Sequence, residues 1–484
     1  MRPYAALLGL LLLCACDSES TGDGGLADAD GGEAAAPLRW ALSAGGAEYD
    51  FAAGAAARSG GTCAIAGAFQ GSSRFGGREL QSAGDWDGFL ALYDGDGGLD
   101  WALGIGGPGY ERVWAVDMLP DGSVLCAGAF SGEMVLGKGE AGETRLVATG
   151  AADAFAARYS AQGSLVWARS AGSSASAWAR AAAASADGGC VLGGWFAGRL
   201  TLGAGTPAET SLEASGQGDA FVARLDAGGA LLWARRIGGP GDVECRAVAA
   251  APDGGLVALG RFTGQLEPDG GPALQSAGER DLFLARFGPQ GQLGWIAPIG
   301  GPDFDEPGSV AVLADGSVLA AGSFRQRCAL AGAAELVSAG DWDVFAARFA
   351  PDGGLVWARR AGGSRGEHAH VLRAVDSRGG FLLTGWFMGP AVLGPGDPGE
   401  VTLQPTCSAD AFLARYDEDG RLEWARQSQG SDMVSGRGLA ALEDGSAFWM
   451  GGFTNSVTFG AGTQGAVTLS AAGEQDVFLA RVGP

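Results

Sequence analysis

The chain alternates short apolar runs with Gly-rich polar breaks, and the alternation itself recurs over a long period. Residues 343–359, DVFAARFAPDGGLVWAR, carry the pattern most plainly. An Asp-x-Phe-x-Ala-Arg run meets a Gly-containing break and then a Leu-x-Trp-Ala-Arg run. Short runs of this kind, bounded by Asp-Gly or Gly-Gly pairs, predict a β-hairpin. Its Trp recurs at Trp40, Trp101, Trp167, Trp233, Trp295, Trp357 and Trp424, with spacings of 61, 66, 66, 62, 62 and 67 residues. The Asp of the other run recurs at Asp87, Asp153, Asp219, Asp281, Asp343, Asp410 and Asp476. A fixed period of this length decides the architecture before any single motif does.

Each repeat carries four strand-like runs. In repeat 4 they are CRAVAAAPDGG (strand A), LVALGRF (B), DLFLARF (C) and LGWIAPI (D). A four-stranded unit of this size cannot bury both faces alone, and radial stacking buries each against a neighbour. The expected fold class is therefore all-β, a seven-bladed β-propeller of four-stranded antiparallel blades. The phase of the repeat adds to this. The pattern opens at Leu38–Leu42 with a strand D and ends at Asp476–Val482 with a strand C. The N-terminal strand is expected to complete the last blade. Over 38–484, the Gly-x-Phe, Asp-x-Phe-x-Ala-Arg and Leu-x-Trp elements resemble the seven-bladed β-propeller repeat family of bacterial surface and secreted proteins. Such elements specify fold and leave function open.

The repeated residues read as scaffold. An Asp at the start of every strand C could form a ring of carboxylates for cations, but a side chain accepting backbone N–H bonds at a tight turn explains its presence in every repeat. An Arg follows five residues later in six repeats (Arg158, Arg224, Arg286, Arg348, Arg415, Arg481), with Leu92 in repeat 1. The Gly-x-Phe aromatics (Phe69, Phe130, Phe196, Phe262, Phe324, Phe387, Phe453) and the seven Trp are expected to pack between blades.

Ahead of the repeats, residues 1–15 read as a lipoprotein signal peptide: Arg2, an apolar stretch too short to span a bilayer, and LCAC at 13–16. Cys16 is the expected lipidation site. Residues 16–37 carry six acids and no base, and read as an acidic disordered tether. Its typical reach is roughly 25 Å. Acyl chains on Cys16 would hold the protein to a membrane, placing it in the cell envelope at the outer membrane.

A net charge of −23 argues against nucleic acid as a partner. Beyond the signal there are six cysteines, one in each of repeats 1 to 6, without Cys-x-x-Cys spacing. Cys63, Cys126 and Cys190 fall in strand B and read as buried thiols. Cys328 and Cys407, in B–C segments of adjacent repeats, are the pair to watch for a disulfide.

Residues that the scaffold does not need are the better functional candidates. In propellers the D–A and B–C connections share one face. Here the D–A segments carry Glu48, Asp50, Glu111, Asp242, Glu244, Asp303, Asp305, Glu367 and Asp432, while repeat 3 has Ser173, Ser174 and Ser176. From the Gly-x-Phe aromatic to the strand C Asp the count is 18, 23, 23, 19, 19, 23 and 23, so this face also varies in length. Tyr49, Tyr110, Trp114, Trp178 and Phe304 lie in or just after these segments or on the channel wall. This acidic face is the candidate binding surface.

Other motifs weigh less. Ser364, in Gly-Gly-Ser-Arg-Gly, lacks the strand–turn–helix setting of a nucleophile elbow. His368 and His370, the only histidines, would share a face of a strand and could ligate a metal, but two histidines at a loop-to-strand junction is the favoured reading and no metal site is assigned. The runs at Asp94 and Asp417 resemble half a calcium loop but fall where C–D turns belong. Residues 104–109 mimic a dinucleotide fingerprint without its helix. The reading is an envelope lipoprotein, monomeric, that binds or scaffolds an unidentified protein or glycan. It is read as a non-enzyme with no cofactor, calcium being the one ion considered. A hydrolase or lyase using the acidic face, and a purely structural envelope component, are the alternatives.

Overall fold

The computed structural model describes residues 38–483 apart from Ser59 and Ser377. The proposed signal peptide, Cys16 and the tether lie outside the described residues. All regular elements described are β-strands, and among the described residues no helix is long and apolar enough to cross a membrane.

Repeat 1 pairs strand A (Asp50–Ala57) with B (Cys63–Phe69), B with C (Asp87–Tyr93) and C with D (Leu99–Ile105), all antiparallel. The same order holds through repeats 2 to 6. Repeat 7 supplies Val434–Ala441, Ala447–Phe453 and Asp476–Val482, and its fourth strand is Leu38–Gly46 from the start of the chain. Trp40 pairs with Arg481 there, in the register by which Trp167 faces Arg158 and Trp233 faces Arg224.

Packing between repeats follows from the strand period. Seven apolar clusters form, each drawing on two consecutive repeats, and one joins Phe448, Met450 and Leu479 of repeat 7 to Ile65, Phe69 and Phe89 of repeat 1. All seven Gly-x-Phe rings are fully buried in these clusters. At about 25 cal/mol per Å² of apolar surface, such rings are the principal stabilising contribution.

Charged residues of the repeat act locally. Each strand C Asp is buried and accepts the backbone N–H of the residue four positions earlier, at 2.7–3.1 Å. The strand C arginines reach back to the A–B turn of their own repeat, as in Arg158–Asp121 at 2.6 Å and Arg286–Asp253 at 2.8 Å. Arg415 instead pairs with Glu423, at 2.5 Å.

The B–C segments are not loose loops. Each forms a small hairpin; in repeats 1, 3, 4, 5 and 6 its first strand pairs with the far end of strand D of the preceding repeat, and in repeat 7 with Gln429–Gly430, a short strand just after strand D of repeat 6. Strand D thus runs on beyond its own sheet, which places the D–A turn beneath the hairpin. Cys63, Cys126, Cys190, Cys245, Cys328 and Cys407 are free thiols, so Cys328 and Cys407 form no disulfide, and all but Cys407 are buried.

Candidate functional site

The acidic residues singled out in the D–A segments divide into two groups. Asp50, Glu111, Asp305 and Glu367 are at most 2% exposed and do not form a surface. Each pairs across strand B with the Gly-x-Phe aromatic and accepts the N–H of a Gly four residues earlier: Gly46, Gly107, Gly301 and Gly363, at 2.8–3.0 Å. This is the arrangement of the strand C Asp, transposed to the D–A turn. Burial beneath the hairpin raises these carboxyls, Asp50 and Glu111 to about 7 and Asp305 and Glu367 to about 8. The backbone bonds pull the other way and lose to desolvation.

The rest are placed in several ways. Glu48 and Asp432 are exposed. Asp242 accepts Trp195 Nε1 at 2.8 Å, and Asp303 accepts Gln326 Nε2 at 2.8 Å. In repeat 3, Ser173 is buried and its N–H is accepted by Asp153 at 2.9 Å. Glu244 is buried but sits among arginines, with Arg180 at 2.9 Å, Arg261 at 2.8 Å and Arg246 at 3.4 Å. Burial raises its carboxyl, yet Arg246, Arg180 and Arg261 together outweigh that and hold it at about 2.

Glu244 marks the place where the inner strands converge. Every strand A has a β-bulge at the same point, and the extra residue is Ala53, Trp114, Arg180, Arg246, Gly308, His370 or Arg437. Bulges re-aim a side chain, and here they recur where the repeats differ most. Arg180 lies 4.1 Å from the ring centre of Trp114 and 4.8 Å from that of Trp178. Arg437 lies over Phe51 at 5.2 Å. Arg112, two residues before Trp114, is ringed by Trp86 at 4.4 Å, Phe51 at 5.0 Å, Trp114 at 5.1 Å and Tyr110 at 5.5 Å.

Ion pairs continue around the same zone. Arg261 reaches Glu306 at 3.0 Å, and Arg280 also pairs with Glu306. Among the described residues, Arg112 and Arg437 have no carboxylate partner. The Nε of Arg112 and the indole N–H of Trp114 are buried without any partner. Arg112 and Arg437 lie over the same Phe51 ring, at 5.0 and 5.2 Å, and desolvation lowers Arg437.

Seven isolated parallel bridges border this zone. Each joins the residue before a strand C Asp to the next repeat, among them Trp86 to Tyr110, Arg280 to Phe304 and Gln475 of repeat 7 to Tyr49 of repeat 1. The aromatics anticipated at these points do gather here. The sequence reading missed Arg112, Arg180, Arg246, Arg261 and Arg437, together with Trp86, Trp195 and Trp386. Their signal is their unlikeness: the middle residue of Gly-x-Phe is Ala68, Ala129, Trp195, Arg261, Ser323, Trp386 and Gly452 in turn.

The remaining motifs take ordinary positions. His368 is held between Trp342 and Trp386, with ring centres 4.7 and 4.5 Å away, and desolvation lowers it to about 4. His370 Nδ1 contacts Gly436 O at 2.9 Å. Among the described residues no cluster of three or more His, Cys, Asp or Glu is placed to hold a metal. Asp94 and Asp417 each accept two N–H bonds within their C–D turns, at 2.7–2.9 Å. Ser364 lies in a D–A turn between strands Leu355–Gly363 and Glu367–Ala374, not before a helix. Chemically, the convergence offers guanidinium donors and flat apolar rings.

No family model matches the chain. It is similar to "Regulatory protein FlaEY" of Caulobacter vibrioides, 24% identical over 283 residues, which cover 55% of this chain and 29% of that protein. A second relative, "Uncharacterized WD repeat-containing protein L264" of Acanthamoeba polyphaga mimivirus, is 23% identical over 123 residues, 25% of this chain and 9% of that one. The chain thus spans less than a third of the length of these curated relatives. Among solved structures, Sqt1 from Chaetomium thermophilum aligns with a TM-score of 0.40 at 11% identity, over 92% of this chain and 99% of that one. A protein of unknown function from Bacteroides caccae aligns with a TM-score of 0.35 at 12% identity, over 72% of this chain and 92% of that one.

Proposed function

We propose that this chain is a closed seven-bladed β-propeller, held to the cell envelope through Cys16, that works as a binding module rather than an enzyme. The closure is supported by the apolar cluster and the Tyr49–Gln475 bridge, both of which join repeat 7 to repeat 1. The binding site is the mouth of the central channel, at the end where D–A turns and B–C hairpins lie. One observation carries this reading: the positions at which the repeats differ converge on one zone, and several of their polar groups are left without partners. A scaffold alone has no need of them, and unpaired buried polar groups are destabilising. The binding role is favoured over catalysis because no nucleophile with a base beside it stands in that zone.

Affinity capture from envelope fractions tests the site. The 38–484 protein is expected to retain a component that a Trp178→Ala variant of equal thermal stability loses. Equal capture by both, or capture by neither, overturns the assignment. Anchoring is tested separately: Cys16→Ala is expected to release the protein from membranes and abolish acyl labelling, and unchanged partitioning with unchanged labelling removes that part of the reading.

A further inference from the structure

Resting on the binding role just described, we propose that the ligand at this convergence is an organic carboxylate. Its carboxylate would lie on the guanidinium edges of Arg112 and Arg437, which share the Phe51 ring, and its apolar face on the rings of Trp114 and Trp178.

The charge balance points to an anion. Glu244 and Glu306 serve Arg180, Arg261 and Arg280, and Arg246 shares Glu244 only at 3.4 Å. Arg112 and Arg437 have aromatic rings in place of counter-charges. A guanidinium does not lose its proton at ordinary pH, so it cannot escape burial by becoming neutral. Ring faces offset only part of the lost hydration. The chain has 55 acidic residues against 32 basic ones, yet it places none on these two arginines among the described residues. The missing anion is therefore expected from outside.

The rings point to an organic anion. An inorganic ion has no use for the indole faces beside the arginines, or for the stacked pair Trp178–Trp195 with centres 4.7 Å apart. A guanidinium over a ring keeps N–H groups in its own plane, and that planar fork matches the two oxygens of a carboxylate. The site thus joins a few directed donors to apolar walls, the usual composition of a small-molecule site.

The test is titration of the 38–484 protein, followed by Trp fluorescence and calorimetry, with benzoate and glucuronate as probes. Benzamide and glucose serve as their uncharged counterparts, and sulfate as an inorganic anion. The expected result is saturable binding of at least one of the two acids, at least tenfold tighter than its uncharged counterpart and than sulfate. Arg437→Gln should weaken it at least tenfold while leaving the melting temperature equal or higher, because an unpaired buried charge is removed. Arg112→Gln is the second variant should Arg437→Gln fold poorly. Equal binding of acid and counterpart overturns the proposal, as does sulfate binding as tightly as the acids. Saturation by neither acid also overturns it. Envelope capture that still depends on Trp178 would then leave the binding role standing with a different ligand.

Discussion

The indole Nε1 of Trp40 donates to the carbonyl of Gly95 at 3.0 Å, tying the first strand of the chain to the C–D turn of repeat 1. The same bond runs from Trp101 to Ala161, Trp167 to Ala227, Trp233 to Pro289, Trp295 to Pro351 and Trp357 to Glu418, at 2.8–3.1 Å. In each case strand D of one repeat reaches the turn of the next. Trp424 is the exception among the described residues, because in repeat 7 strand C is Asp476–Val482 and strand D is Leu38–Gly46, which no C–D turn joins.

This asymmetry makes the first prediction. Trp→Phe keeps most of the ring and removes the bond. Trp40→Phe and Trp101→Phe should each lose about 1 kcal/mol more than Trp424→Phe, the net contribution of one such hydrogen bond. Trp40→Ala should lose about 3 kcal/mol, the low end for a Trp because the ring is only partly buried. Chemical denaturation of the four variants checks both. A Trp40→Ala protein as stable as the parent would remove the N-terminal strand from the fold.

The second concerns the Gly of Gly-x-Phe. A Cβ on Gly128 would lie 1.9 Å from Arg112 O and 2.8 Å from the Phe155 ring. Gly67 and Gly194 face the same clash, with Phe51 O and Trp178 O at 1.9 Å. Gly128→Ala should therefore cost about 2–3 kcal/mol through overpacking. At Gly77, in a hairpin turn with open space around it, Ala should change stability by less than about 0.5 kcal/mol. Melting curves of the two variants make the comparison.

Those glycines, with the Phe, Asp and Trp of the repeat, were legible because each does the same task in every repeat. Recurrence at fixed spacing is visible in a sequence without any geometry. The acids of the D–A turns were misplaced for a physical reason. Asp50 and Glu367 sit in Gly-rich stretches that look solvated, and nothing local reveals the hairpin folded over them. The inner site was missed because attention went to loops, whereas Arg180, Arg246 and Arg437 are bulge residues inside strands. Their trace in the sequence is position: Ala53, Trp114, Arg180, Arg246, Gly308 and Arg437 each stand 14 residues before the Gly of Gly-x-Phe, where no residue type is shared by all repeats.

The third prediction concerns Glu244. It is 3% exposed and holds Arg180 and Arg261 in place. Glu244→Gln leaves the Arg180 guanidinium buried without a counter-charge and Arg261 with Glu306 alone, and should cost about 3–5 kcal/mol. Glu306→Gln should cost less, since its side chain is 28% exposed and water can screen what remains. Adding Arg180→Met to Glu244→Gln should recover part of the loss. A double variant less stable than Glu244→Gln would argue against charge as the cause.

The last prediction is the pH dependence of stability. Asp50, Glu111, Asp305 and Glu367 have folded-state pKa values raised to about 7, 7, 8 and 8, from ordinary values of 3.8 for Asp and 4.5 for Glu. Between those limits the folded protein holds these protons and the unfolded chain does not. The folded state binds more protons, so stability falls as pH rises through that window. The stabilisation is fully present below about pH 4 and lost as pH passes 7 to 8. Glu244 acts in the opposite sense. Held at about 2, it favours the folded state above its ordinary pKa and loses that effect only in acid. The two together place maximum stability near pH 4, well on the acidic side of neutrality. Urea melts at pH 5, 7 and 9 and constant ionic strength should give falling free energies of unfolding. Glu367→Gln keeps an oxygen for the Gly363 N–H and removes one titrating group. It should make the decline shallower by up to about 1.4 kcal/mol per pH unit between pH 5 and 8. Stability that is flat or rising from pH 5 to 9 in the parent would mean that these carboxyls are solvated, and that the hairpins do not cover the D–A turns as described.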